Sequence, residues 1–263
     1  DLVRFPLLTG NNAQPFIATA VTATVLTGAA INVPLSTETA TTDLVVADKL
    51  ETGNLCKTFS ILTWFKGTCG GEDSFLLTKG VQFSGFTIEQ AVNAMVTGSF
   101  PFIGLSQDVL TAPPAGSTFT VNFSAQPFAS VDVSAFNGTA PLKLIDTFTI
   151  TNDNAASAQF ELGNSSVAFV ERGRAANTFS LAGKLYDTEL LGLFLSETQI
   201  ELTSVLAGPQ GAMSFTLKRA ELTAATPQIG GPESVTLSLE GQATGNSTLS
   251  SIVIQRIAYP FYP

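Results

Sequence analysis

Apolar and polar residues alternate with period two through most of this chain, the pattern of half-buried antiparallel strands. In LIDTFTITN (Leu144–Asn152), Phe148 and Ile150 fall between Thr147, Thr149 and Thr151. Similar runs occupy Gly80–Ile88, Asn93–Gly104, Thr118–Ala125, Ala168–Arg174 and Asn177–Tyr186. They continue at Thr198–Leu206, Ala212–Thr223, Glu233–Ala243 and Leu249–Ile257. Phe59–Phe65 (FSILTWF) is a short apolar run rich in strand formers. Gly, Pro and Asn separate the runs, as turns require. The predicted fold class is mainly β, an antiparallel β-sandwich or barrel.

Two segments break the alternation. DTELLGLFL (Asp187–Leu195) has Asp187 at a helix N-cap position and Leu190, Leu191 and Phe194 at helical spacing. DLVRFPLL (Asp1–Leu8) has Leu2 and Phe5 three apart, with Pro6 limiting any helix. Each such helix introduces a similar order of strands, and Lys79 and Lys218 follow Leu-Thr and Thr-Leu in corresponding places. A duplicated chain is therefore expected, each half with a short flanking α-helix: residues 1–125 and residues 126–263. The rival explanation is the monotony of β-hairpins. The long connections, Ala13–Glu51 (an insertion within the first half) and Ser106–Ser117, are rich in Thr, Ala, Gly and Pro. Loops of this kind project from a scaffold and carry contacts.

Composition narrows the chemistry. Of 263 residues, 44% are apolar and only 13% charged, about half the usual charged fraction of ~25%. A surface so poor in charge is suited to being covered by partners. The net charge of −9 argues against gripping phosphate backbones, which needs Lys and Arg. The chain has no His, which excludes Ser-His-Asp and Cys-His nucleophiles and His-ligated metals. Cys56 and Cys69 are too few for a disulfide framework and are expected as two buried free thiols, a cross-strand bond being the alternative. Phe16–Val33 is uncharged but carries four Thr, a Gly and an Asn, which favours strands interrupted near Thr27-Gly28 over a membrane span.

The remaining polar motifs have plain explanations. Glu72 and Asp73 lie in a Gly-rich turn, GTCGGED, where solvated carboxylates are ordinary. NDN (Asn152–Asn154) lacks the spaced carboxylates of a calcium loop and suits an Asx turn. Glu171, Arg172 and Arg174 suit surface ion pairs. Trp64 and the 20 Phe suit a core and an intersubunit interface. No catalytic, cofactor-binding or metal-binding residue is assigned, and the chain is not expected to be an enzyme.

The ordered strands carry a resemblance. KTFSILTWFKG, followed by KGVQFSGFTIEQAVNAMVTGSFPFIGL, resembles the tail tube proteins (major tail proteins) of tailed bacteriophages. Phe59-Ser60-Ile61, Gly80-Val81-Gln82-Phe83, Thr97-Gly98-Ser99-Phe100 and Phe102-Ile103-Gly104 fill the places of that family's strand motifs. LIDTFTITNDN, GRAANTFSLAGKLYDTELLGLFLSET and STLSSIVIQR, ending at Arg256, are similar to its later strands. The resemblance covers most of Leu55–Ile257. Ala13–Glu51 matches nothing in it, and relatives have a strand pair before their first helix, so residues upstream of Asp1 are expected. It implies a structural virion subunit, assembled in the host bacterial cytoplasm, whose strands join those of other copies in stacked rings. Ring closure removes exposed sheet edges. A ring would hold three duplicated chains or six chains, meet other tail proteins at the tube ends, and pass DNA through its lumen without specific binding. Loops at Ala13–Glu51 and Ser106–Ser117 are the candidates for joining rings. No cofactor and no membrane enter this picture. The alternatives are a β-sandwich adhesin or receptor-binding domain and, more remotely, a glycosidase using two carboxylates.

Overall fold

The computed structural model describes residues 2–4, 16–22, 25–31, 45–53, 56–67, 71–119, 126–164, 166–185, 189–208, 211–228, 235–246 and 250–258. Its first strands are β1 (Leu2–Arg4), β2 (Phe16–Val21), β3 (Leu26–Ala30), β4 (Val45–Val46) and β5 (Asp48–Glu51). Next come β6 (Phe59–Phe65), β7 (Ser74–Phe83), β8 (Gly85–Ala91), β9 (Thr97–Ser99), β10 (Phe102–Ile103) and β11 (Ser106–Leu110). The second half contributes β12 (Val133–Asn137), β13 (Ala140–Pro141), β14 (Ile145–Asp153), β15 (Ser157–Phe160), β16 (Val167–Glu171) and β17 (Ala176–Lys184). Helix α1 (Glu189–Leu195) follows, then β18 (Ile200–Gly208), β19 (Gly211–Gln228), β20 (Thr236–Ala243) and β21 (Ile252–Ala258).

The long strand β19 organises the centre. Its first half, Gly211–Leu217, lies between β18 and β21, whereas Ala220–Gln228 pairs with β20. The change falls at a bulge: Lys218 and Arg219 together stand opposite Glu201, and Arg219 has a φ of 50°. An inserted residue bends and twists a strand, so β19 leaves one sheet and enters another. The first sheet runs β13-β12-β18-β19-β21-β5, and the second runs β19-β20-β17-β14-β8-β9. Strands from both halves of the chain therefore share the second sheet.

The two sheets face each other across the main core. Ile88, Phe148, Ile150, Phe179, Leu181 and Leu239 come from the second sheet, and Leu202, Leu206, Phe215 and Leu217 from the first. A buried hydrogen-bond chain crosses the same space: Asn152 donates to Asn177 Oδ1 (2.8 Å), and Asn177 donates to Ser251 Oγ (2.6 Å). Near β9 the sheets touch at one isolated bridge, Met95 to Ala129. The result is a sandwich of antiparallel sheets rather than a closed barrel.

A third layer covers the outer face of the first sheet. Strands β3-β2-β1-β4 form a small sheet whose Leu2, Ile17 and Ile31 pack with Phe136, Val205, Ala212 and Ile257. The Leu2 amide donates to Gln255 Oε1 (3.0 Å). Strand β18 and the first half of β19 are thus covered on both faces, and β18 is buried along most of its length.

Several expectations need correction. Leu2–Arg4 is a strand, not part of a helix, because Leu2 and Val3 pair with Ile17 and Phe16 of distant β2. The break in Phe16–Val33 falls at Thr22–Val25, where the Thr22 amide closes a tight turn onto the Val25 carbonyl, and not at Thr27-Gly28. Ser106–Leu110 is a strand paired to β7 rather than loop. Asn93–Gly104 is broken into β9 and β10. Cys56 is exposed rather than buried, while Cys69 lies outside the described residues, as do the cap residue Asp187 and the run Thr118–Ala125 beyond Phe119. Among the described residues no helix is long and apolar enough to cross a membrane.

Candidate functional site

The face of the second sheet turned away from the core is built from residues that alternate with the core positions. Pairing aligns them in transverse rows. One row is Thr97, Glu89, Thr149, Ser180, Glu240 and Ala224; the next is Ser99, Thr87, Thr151, Thr178, Gln242 and Glu221. A third holds Ala91, Thr147, Ala182, Ser238 and Thr226. All but Thr97 and Ser99 lie on long, regular strands, and all are exposed or half-exposed. Thr suits strands and meets water well, so its abundance alone says little. The informative feature is charge: three Glu stand in these rows with no apolar side chain larger than Ala, and among the described residues the only cation on the outer side of these strands is Lys184, exposed in the end row with Thr236 and Gln228. Glu221 is held by Gln199 Nε2, and Gln199 in turn accepts from Arg219 Nε at 2.9 Å. At ~4.8 Å between strands, the six strands make a wall about 24 Å wide.

The wall has two open edges, β9 and the Glu221–Gln228 half of β19, each paired on one side only among the described residues. Every neighbouring pair across it is antiparallel. With six strands, an even number, β9 and β19 run in opposite directions. An edge-to-edge contact between copies related by rotation would therefore continue the antiparallel pattern without a reversal.

Beyond one end of the wall the chain protrudes. Strand β7 runs into β8 with only Ser84 between them. It carries β6, β10 and β11 as partners, none of which joins the sandwich sheets. The β15–β16 hairpin extends from β14 and β17 at the same end. The Asn154 amide donates to the Ser84 carbonyl (2.8 Å), and Arg172 Nε donates to Gln82 Oε1 (3.2 Å), tying the two together at their root. Gly80 has φ of +62° and Leu105 sits where its Cβ would be, so only glycine fits this kink in β7.

The polar motifs seen in the sequence are occupied locally. Asp73 accepts from Trp64 Nε1 (3.0 Å) and from the Gly67 amide (2.8 Å), bracing the β6–β7 turn. Asp153 accepts from the Ala155 amide (2.8 Å), the expected Asx turn. Glu171 accepts from Gln159 (2.9 Å), and Arg172 bonds Gln82, so these two residues make hydrogen bonds where ion pairs were expected. Lys79 pairs with Asp108, and Lys218 with Glu201. A polar cleft of about 640 Å³ separates the N-terminal sheet from the first sandwich sheet, lined by the Lys218–Glu201 and Lys49–Glu51 pairs. Its charges neutralise one another. Among the described residues no group of His, Cys, Asp and Glu could hold a metal.

A family model described as phage tail tube protein matches residues 4–243. No curated protein matches the chain.

Proposed function

Because the chain belongs to the phage tail tube protein family and is a structural subunit of the tail tube, we propose that copies close into rings through the two open edges of the Thr/Glu wall, that the rings stack, and that the wall lines the lumen through which DNA leaves the virion. The observation that carries this reading is the wall itself: a wide, solvated face of Thr and Ser on which three Glu stand against a single Lys, Lys184 in its end row. A polyanion passing such a face finds little to hold it, since phosphate contacts depend on Lys and Arg. Repulsion keeps it moving. Edge pairing between copies removes the strand edges that would otherwise aggregate, and a head-to-tail contact that closes gives a ring.

Wall width bears on the number of chains. Three walls are 18 strands, which at ~4.8 Å per strand, with the contacts between copies counted, give about 86 Å untilted and, at the ~35–45° tilt of barrel strands, a backbone diameter of about 34–39 Å. Six walls double the diameter. One wall per chain in the described residues favours six chains over three duplicated ones. Assembly in the host cytoplasm, other tail proteins at the tube ends and a purely structural, non-enzymatic role complete the reading. Negative-stain microscopy of the purified chain tests it: annuli and striated tubes are expected, and monodisperse globules at every concentration and salt would refute it.

A further inference from the structure

We propose that the protrusion formed by β6, β7, β10, β11 and the β15–β16 hairpin is a docking element that is enclosed by other copies of this chain. The inference rests on the tube reading above and specifies where copies grip one another. Of the nine exposed Phe and Trp among the described residues, eight lie here: Phe59, Trp64, Phe65, Phe83, Phe102, Phe119, Phe160 and Phe169. They are 38% to 65% exposed. At about 200 Å² per aromatic side chain, that is about 800 Å² of aromatic surface left in water. This total is spread over both faces of the small sheet and the hairpin, and it matches the about 800 Å² that one side of a stable protein interface covers.

The arrangement points to enclosure rather than to a single flat contact. Phe59 and Phe65 alternate on one face of β6, with Phe83 against Phe59 and Phe102 against Phe83. Trp64 lies on the opposite face, stacked on Phe75 and beside Phe119. A small sheet apolar on both faces needs cover on both. The β15–β16 hairpin is a two-stranded ribbon carrying Phe160 and Phe169 outward, and such ribbons are marginal alone in water.

Charge identifies the occupant as another copy. Residues 56–83, 102–119 and 157–174 contain five Lys and Arg against five Asp and Glu, a net of zero, in a chain of net −9. Outside the protrusion net charge opposes contact between copies and ring closure relies on backbone pairing at the wall edges; at the protrusion charge does not oppose contact. An unrelated basic partner would instead be drawn to the acidic remainder.

Trp64, the single Trp, reports directly on this surface. In full-length wild-type chain, assembly followed by sedimentation should coincide with a blue shift of Trp emission. The double variant Phe65→Glu/Phe160→Glu, altered only at exposed positions, should keep the wild-type circular dichroism and melting temperature. Its half-assembly concentration should rise by ~30-fold or more, the effect of losing an interface hot spot. Wild type that assembles without an emission shift, or a folded variant that assembles at the wild-type concentration, overturns the docking role while the tube reading stands. A wild-type chain that never assembles overturns both.

Discussion

Reversing the charge of one row of the wall separates its role in folding from its role toward DNA. Glu89 and Glu240 lie in the same transverse row, three strands and about 14 Å apart. Both are exposed, and neither belongs to an ion pair among the described residues. Their mutual repulsion is about 0.3 kcal/mol in water before screening, and 14 Å exceeds the ~8 Å Debye length at physiological salt. Glu89→Lys/Glu240→Lys should therefore change folding stability by less than ~0.5 kcal/mol. Toward DNA the effect is large. Each Lys that meets a phosphate adds about −0.9 to the slope of log affinity against log salt, so two Lys on one engaged chain make binding about 12-fold tighter at 50 mM than at 200 mM salt. The assay is retention of a short fluorescent duplex by assembled tubes across that salt range. Wild-type tubes should release it throughout, and reversed tubes should hold it at low salt. Wild-type tubes that hold the duplex, or reversed tubes that do not, refute the assignment of this face to the lumen.

Other substitutions test the scaffold behind the wall. Leu217 is fully buried between the sheets, and Leu217→Ala should cost about 2–5 kcal/mol in urea unfolding. Asn177→Ala leaves the Asn152 amide and Ser251 hydroxyl without that partner in the core and should cost about 1–3 kcal/mol, with Asn177→Asp a further comparison at similar volume. A Cβ at Gly241 would lie 2.3 Å from the Glu221 carbonyl oxygen and 2.4 Å from the Phe179 ring; Gly241→Ala should destabilise the chain by about 1–3 kcal/mol, seen as a lower melting temperature, because the neighbour at 2.3 Å is backbone and cannot swing aside.

The regular strands were legible because their two faces differ. In β14, β17 and β20 apolar residues or Asn and Gly face the core, while Thr, Ser and Glu face water, and period two exposes that contrast directly. Helix α1 was legible from Leu190, Leu191 and Phe194, although its N-cap lies outside the described residues. Strand β1 was not, because three residues carry no period and its partners, Ile17 and Val46, are contributed by long-range pairing. The sheet switch at Arg219 was hidden too: a left-handed Arg leaves no mark in the residue sequence, where a Gly would. The acidic balance was visible from composition, but not its placement. Glu89, Glu221 and Glu240 are scattered in sequence, and only the register of six strands brings them onto one face. Exposure of Cys56 and of the aromatic protrusion likewise depends on which sheet has no cover.

The most direct measurement is a cryo-EM reconstruction of the assembled chain at a resolution that traces its strands. The account predicts a ring in which β9 of one copy pairs antiparallel with the Glu221–Gln228 edge of the next and the row from Glu89 to Glu240 faces the lumen. A ring with that row on its outer surface, or buried under another protein layer, would contradict it.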